Sequence, residues 1–258
     1  MNGSGNPGGN PLRRMMLALD ALSCETALIE AAALIAAKLE AELDALFVED
    51  DDVYRVADLP ITREISLSSA REREISASRV EQTLRGLSRE AERRFGAATQ
   101  RSRVKGHFHV TRARRDEAIG AAALQVDLLL LQPRKPTLVR VLVRDNRPPR
   151  VFVLCGQTPA SRRALELGAR LARDDHHVLE VIVAGEVDAE LRRELERSGL
   201  IVVVREHPPQ SAALAMLADV DNRSGATVLV AGDLLAADSR NPALECLSQL
   251  RCQVLLVN

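Results

Sequence analysis

The sequence predicts a doubly wound α/β fold present in two successive copies. Short apolar runs, suited to strands buried on both faces, alternate with segments whose apolar residues recur at helical spacing. The same order of elements returns in the second half of the chain, and 258 residues suffice for two ordinary domains. A content of 46% hydrophobic and 28% charged residues is that of a soluble globular protein.

In the first copy a strand over 15–19 is followed by an acidic turn, a helix, a second strand over 42–48 and an insertion. A long helix over 77–101 comes next, then a strand over 104–112, a short helix over 116–125 and a strand over 126–131. In the second copy a strand over 151–155 precedes a helix, a strand over 178–184, a helix over 188–197 and a strand over 200–205. Helices over 210–223 and 241–249 then alternate with strands over 227–231 and 253–257. A shift of 136 residues carries "IEAAALIAA" (29–37) onto "LELGARLAR" (165–173), and "ELDALFV" (42–48) onto "VLEVIVA" (178–184), without a gap. We read this as an internal duplication. The expected boundaries are a Gly/Asn/Pro-rich disordered arm over 1–11, a first domain over 12–147, and a second over 148–258 that opens after the linker "DNRPP".

The 35 basic and 36 acidic residues are spread along the whole length, with no basic stripe, so neither nucleic acid nor an acidic membrane is an expected partner. Four Phe, one Tyr and no Trp leave no stacking platform for single strands. No apolar run reaches membrane-spanning length and no signal-peptide pattern opens the chain, which gives a cytoplasmic expectation without membrane insertion. Cys24, Cys155, Cys246 and Cys252 are too scattered for a disulfide framework or a zinc pair.

"MMLALDALSCETALIEAAALIAAKLEAELDALFVEDDD" resembles the opening strand, acidic turn, helix and second strand of the universal stress protein family. "RVFVLCGQTPASRRALELGARLA" resembles the same opening in its tandem members, and "CQVLLVN" is similar to the family's final strand, with Gln253 at the proline position. The resemblance covers the chain from Leu12 onward except 50–76. It implies two parallel-sheet domains of the adenine nucleotide alpha hydrolase-like kind, paired through their last strands as a pseudo-dimer. It also implies, in many members, an ATP site at the carboxyl ends of the strands, where a doubly wound sheet binds ligands in general.

Such a site requires an acidic residue after the first strand, a backbone contact at the end of the second, and a phosphate loop after the fourth. The loop pattern is Gly, two residues, Gly, nine residues, Gly, then Ser or Thr, because glycines let amide groups converge on phosphate oxygens. In the first copy Asp20 and Val48 are the candidates for the base end of a nucleotide. The phosphate end is missing: "QPRKPT" (132–137) contains no glycine and is too short for a crossover helix. In the second copy Gly156 replaces the acid, and the loop reads "GDLLAADSRNP", with Leu235 at the second glycine position and Asp233 adding a negative charge. ATP and AMP binding are therefore disfavoured and no cofactor is expected. The shortened connection leaves a strand over 138–144 either beside the preceding strand or, as favoured, paired with 254–257 of the other copy; six extended residues span roughly 20 Å.

Other candidates have plainer readings. Arg134 and Lys135 suit a solvated loop. His107 and His109 share one strand face, and without a third ligand that face is read as solvent-exposed rather than metal-binding. Cys24 lies where a helix dipole could lower its pKa, and Cys155 ends a strand near the crevice; both are read as small buried residues. No G-x-S-x-G elbow occurs, so no catalytic residue is assigned. The insertion over 50–76 carries Val53, Val56, Leu59, Ile61 and Ile65, too apolar for a linker; it is open to covering the crevice, packing on the other copy or forming a binding surface. Val80, Leu84, Leu87, Ala91 and Phe95 form a core-type stripe on the long helix.

The function expected is therefore binding without catalysis, in stress-linked regulation through a protein partner or small ligand, with a homodimer possible. The rivals are an adenine-nucleotide sensor on the Asp20/Val48 side and a nucleotide hydrolase.

Overall fold

The computed structural model describes residues 14–21, 24–59, 62–65, 72–74, 76–131, 151–156, 158–173, 178–185, 189–197, 199–207, 227–232 and 253–258. The first half of the chain holds β1 (Arg14–Asp20), α1 (Thr26–Leu39), β2 (Glu42–Asp50), α2 (Asp51–Ala57), β3 (Arg63–Ile65), β4 (Glu72–Glu74), α3 (Ala77–Ser102), β5 (Phe108–Ala113), α4 (Arg115–Ala123) and β6 (Leu128–Leu131). The second half holds β7 (Val151–Cys155), α5 (Pro159–Arg173), β8 (Leu179–Ala184), α6 (Ala189–Arg197), β9 (Val202–His207), β10 (Thr227–Ala231) and β11 (Gln253–Val257).

Nine strands make one sheet in the order β5-β2-β1-β6-β11-β10-β7-β8-β9, and β3 and β4 pair as a separate antiparallel hairpin. β5, β2, β1 and β6 run parallel, as do β11, β10, β7, β8 and β9. Each half thus places its first strand inside, its second and third outward on one side, and its fourth on the other, the doubly wound order expected from sequence. β2 and β8 flank β1 and β7 in the same way, as the duplicated segments predict.

The halves meet where β6 and β11 pair antiparallel, with Leu131 opposite Val254 and Leu128 opposite Val257. This corrects the expected pairing of 138–144 with 254–257. β11 already has β10 on one edge and β6 on the other, and β6 is held between β1 and β11. Neither strand has an edge left for a further partner, so the fourth strand of one half takes the place expected of a fifth. The segments 132–137 and 138–144 lie outside the described residues, as do the expected helices over 210–223 and 241–249.

The antiparallel junction points the carboxyl ends of the two half-sheets in opposite directions. Alternate side chains build two layers. Met15, Leu17 and Leu19 pack with α1, the later part of α3 and α5, while Met16 and Ala18 face Ile119 and Ala122 of α4. The α3 stripe is core, as expected, but serves two clusters. Ala91, Phe95 and Ala98 enter the main core, whereas Val80 and Leu84 pack with Tyr54 and Ala57 of α2.

β5 begins four residues later than the strand expected from 104. The preceding stretch still bonds to β2, Leu43 N–H donating to Lys105 O and Ala45 N–H to His107 O, each at 2.8 Å. Gly106 lies so close to Leu43 O that a Cβ would strike it. α1 and α3 both end on a left-handed residue, Glu40 and Arg103, each at φ 55. The following amides, of Ala41 and Val104, reach back to Ala36 O and Thr99 O at 3.0 Å, which satisfies the terminal carbonyls without glycine.

Candidate functional site

The strand order reverses between β1 and β6, so the carboxyl end of β1 borders the crevice where a doubly wound sheet receives a ligand. Asp20 closes β1 and its register partner is Val48 on β2, so the structure brings the two sequence-predicted residues side by side. Val48 is buried, and Asp20 is nearly so. The Asp20 carboxylate is engaged by the chain itself, because Arg115 Nε donates to Oδ2 at 2.7 Å and the two side chains are only 12% and 11% exposed. Arg115 opens α4, a position where the helix dipole disfavours a cation, and the Asp20 charge offsets that cost. Sequence reasoning missed this residue. Its signal was "RARR" (112–115), four residues with three arginines at the end of a strand.

Cys24 donates its thiol hydrogen to Asp20 O at 2.9 Å, and Arg94 Nη1 donates to Cys24 O at the same distance. Burial, with the Asp20 charge second, pushes the Cys24 thiol up to about 11, which reverses the lowering anticipated from the helix dipole. Cys155, fully buried at the end of β7, is pushed up by burial to about 12. Both behave as small packed residues.

The insertion builds a shoulder beside this crevice. Asp50 caps α2 by accepting from Asp52 N–H at 3.1 Å. Tyr54 turns inward, donates to Glu49 Oε2 at 3.1 Å and packs with Val80, Leu84 and Ala21, the residue next to Asp20. Burial, then the Glu49 hydrogen bond, hold the Tyr54 phenol above its usual pKa. Arg112 lies 3.8 Å from the Tyr54 ring centre and donates to Asp51 Oδ1 at 2.8 Å. Arg114 reaches Asp52 at 4.0 Å. Arg112, Arg114 and Arg115, at or just beyond the end of β5, thus each meet an acid at or just beyond the end of β1 or β2. Val53, Val56 and Leu59, which carry the insertion's apolar character in sequence, are exposed; Tyr54 and Ala57 do the packing.

In the second half the corresponding position is closed differently. Gly156 N–H donates to Ser161 Oγ at 2.8 Å, and Thr158 caps α5 by accepting from Ser161 N–H at 3.1 Å, with Pro159 at the first helical position. A Cβ at Gly232, the first glycine of the degenerate loop, would meet the Asn258 side-chain oxygen, which would have to shift. Asn258 Nδ2 donates to Ala123 O and, at 3.0 Å, to Val126 O, and its N–H donates to Asp127 O at 3.0 Å. Arg163 then bridges Asn258 O at 2.9 Å and Asp127 Oδ1 at 3.3 Å. The residues just before β6 thus meet the carboxyl end of β11, where Arg163 pairs with the Asp127 carboxylate. The rest of the loop from Asp233, together with Arg134 and Lys135, lies outside the described residues.

Away from the crevice, His107, just before β5, and His109, within it, have ring centres 6.3 Å apart. A groove of about 470 Å³ lies between α6 and β9, lined by Leu195, Leu200, Val202 and Val204 with Arg192 and Glu196. No described helix is long and apolar enough to cross a membrane.

No family model matches the chain, and no curated protein matches it. A solved structure, that of a universal stress protein from Archaeoglobus fulgidus DSM 4304, is similar over 94% of this chain and 96% of its own, at a TM-score of 0.55 and 15% identity. The chain therefore has a universal stress protein-like fold, the architecture that its opening motifs predicted.

Proposed function

We propose that the chain is a universal stress protein-like binding protein that works in stress regulation by docking a partner protein or small ligand, in the cytoplasm, without catalysis and without tight ATP binding. The observation that carries this reading is the Asp20–Arg115 pair. Arg115 Nε holds Asp20 Oδ2 at 2.7 Å in a nearly buried pair, so a ribose hydroxyl would have to compete with a guanidinium for this carboxylate.

Protein purified without added ligand, denatured and analysed for released nucleotides, is expected to yield none. A phosphate-release assay with ATP is expected to match the buffer blank. Stoichiometric nucleotide on the purified protein would overturn the reading, and turnover abolished by an Asp20 substitution would make the chain an enzyme.

One observation favours an adenine-nucleotide sensor instead: Asp20 and Val48 are neighbours in register at the switch of strand order. In that reading a ligand displaces Arg115 from Asp20, and the freed guanidinium takes over the work of the missing phosphate loop.

A further inference from the structure

We propose that His107 and His109 chelate a divalent transition-metal ion, with Asp44 as the positioning residue behind His107. The site lies at the amino-terminal end of the first half-sheet, opposite the crevice, and stands whether or not a nucleotide binds.

Three observations carry it. The two imidazoles, one on the residue just before edge strand β5 and one on its second residue, fall on the same side, with ring centres 6.3 Å apart and planes inclined by 36°. Both side chains are exposed, so small rotamer changes can bring one nitrogen of each onto an ion at about 2.1 Å. Asp44, on β2, is 5% exposed and lies behind them, its Oδ1 3.2 Å from His107 Nδ1 and 3.1 Å from the His107 backbone nitrogen.

Asp44 decides which nitrogen of His107 is available. Its Oδ1 accepts from the His107 backbone N–H at 3.1 Å and faces His107 Nδ1 at 3.2 Å, so the ring is held from two points by one carboxylate oxygen. A carboxylate oxygen accepts, so His107 Nδ1 is placed to donate to Asp44 Oδ1, which leaves Nε2 as the nitrogen for the ion. A carboxylate fixing one ring nitrogen while the other binds metal is the usual outer-shell arrangement of ligating histidines. Arg14 Nη2, 2.8 Å from Asp44 Oδ2, balances the carboxylate charge, so the ion meets two imidazoles and not an acidic cluster. That donor set suits Cu(II), Ni(II) or Zn(II) and not Ca(II) or Mg(II). No group of three His, Cys, Asp or Glu side chains suited to a metal occurs among the described residues, so water completes the coordination.

The test is a calorimetric titration of the full chain with cupric chloride, with paramagnetic resonance at one equivalent. The wild type is expected to bind one ion with two-imidazole nitrogen coupling. His107→Gln and His109→Gln should each weaken binding by more than about tenfold and reduce the coupling to one nitrogen. Asp44→Asn should weaken it by about tenfold or more while both nitrogens remain. Because Asp44→Asn also removes a partner of Arg14, the two exposed histidine variants decide the matter if it misfolds. No binding by the wild type, or equal affinity and an unchanged spectrum in the His107→Gln/His109→Gln double variant, would overturn the proposal.

Discussion

Arg115 Nε donates to Asp20 Oδ2 at 2.7 Å in an almost fully buried pair that joins the end of β1 to the start of α4. Removing one partner leaves the other charged and poorly solvated, which costs several kcal/mol in comparable settings, while removing both costs less. Asp20→Leu and Arg115→Leu should each destabilise the chain by about 3 kcal/mol, and Asp20→Leu/Arg115→Leu by clearly less than the sum of those two singles. Urea unfolding of the four proteins measures this coupling; additive losses would show that the pair carries no interaction energy.

Asp44 gives the acid limb of stability a sign. A carboxyl whose folded pKa is depressed contributes stability above its unfolded pKa, and that contribution is lost as pH falls through the folded value. The difference in urea midpoint between wild type and Asp44→Asn should therefore be largest near neutrality and shrink as pH falls below about 4. A difference independent of pH would mean that Asp44 does not act through its charge.

Gly232 and Asn258 fit together at the seam between the halves. Gly232→Ala should cost about 1–3 kcal/mol by crowding the Asn258 side chain. Asn258→Ala removes the bonds to Ala123 O and Val126 O. Combined with it, Gly232→Ala should cost little more, because the obstructing atoms are gone. Equal cost of Gly232→Ala in both backgrounds would place the strain elsewhere.

The two ends of α3 should report on different bodies. Phe95→Ala opens the main core and should cost about 3–5 kcal/mol. Leu84→Ala disturbs only the cluster with Tyr54 and Ala57, so amide exchange should rise in α2 more than in β1 or β2. Uniform acceleration across both regions would mean that α2 is part of the main cooperative unit.

Cys24 has a thiol pushed up to about 11, leaving roughly one thiolate in a thousand at pH 8. Iodoacetamide labelling, resolved by peptide mass, should be slow at Cys24 and slower at Cys155 at that pH. Rapid labelling of Cys24 at pH 7 would restore the redox reading.

The architecture was legible because its signals are redundant. "MMLALD", "VFVLC", "TVLVA" and "QVLLV" each mark a strand buried on both faces, and the Ala-rich and Leu-rich runs between them carry helical period. Asp20 and Val48 were picked out by the family resemblance, and they end as register partners on β1 and β2. Arg115 was not, since an arginine beginning a helix runs against the dipole preference, and only the distant Asp20 explains it. Tyr54 was hidden by its neighbours: Val53, Val56 and Leu59 are the apolar residues of that stretch, yet tertiary packing chose the one aromatic whose hydroxyl finds Glu49. The junction eluded sequence reasoning for a topological reason. Leu128–Leu131 is as suited to an antiparallel partner as to a parallel one, and nothing local in "LLLL" says which edge β11 will take.

The most direct measurement is isothermal titration of the full chain with ATP, AMP and adenosine, beside the Arg115→Ala variant. The account predicts no saturable binding by the wild type in the micromolar range for any of the three. Micromolar binding by the wild type, lost in Asp20→Ala, would contradict it and make the β1 carboxyl end a nucleotide site.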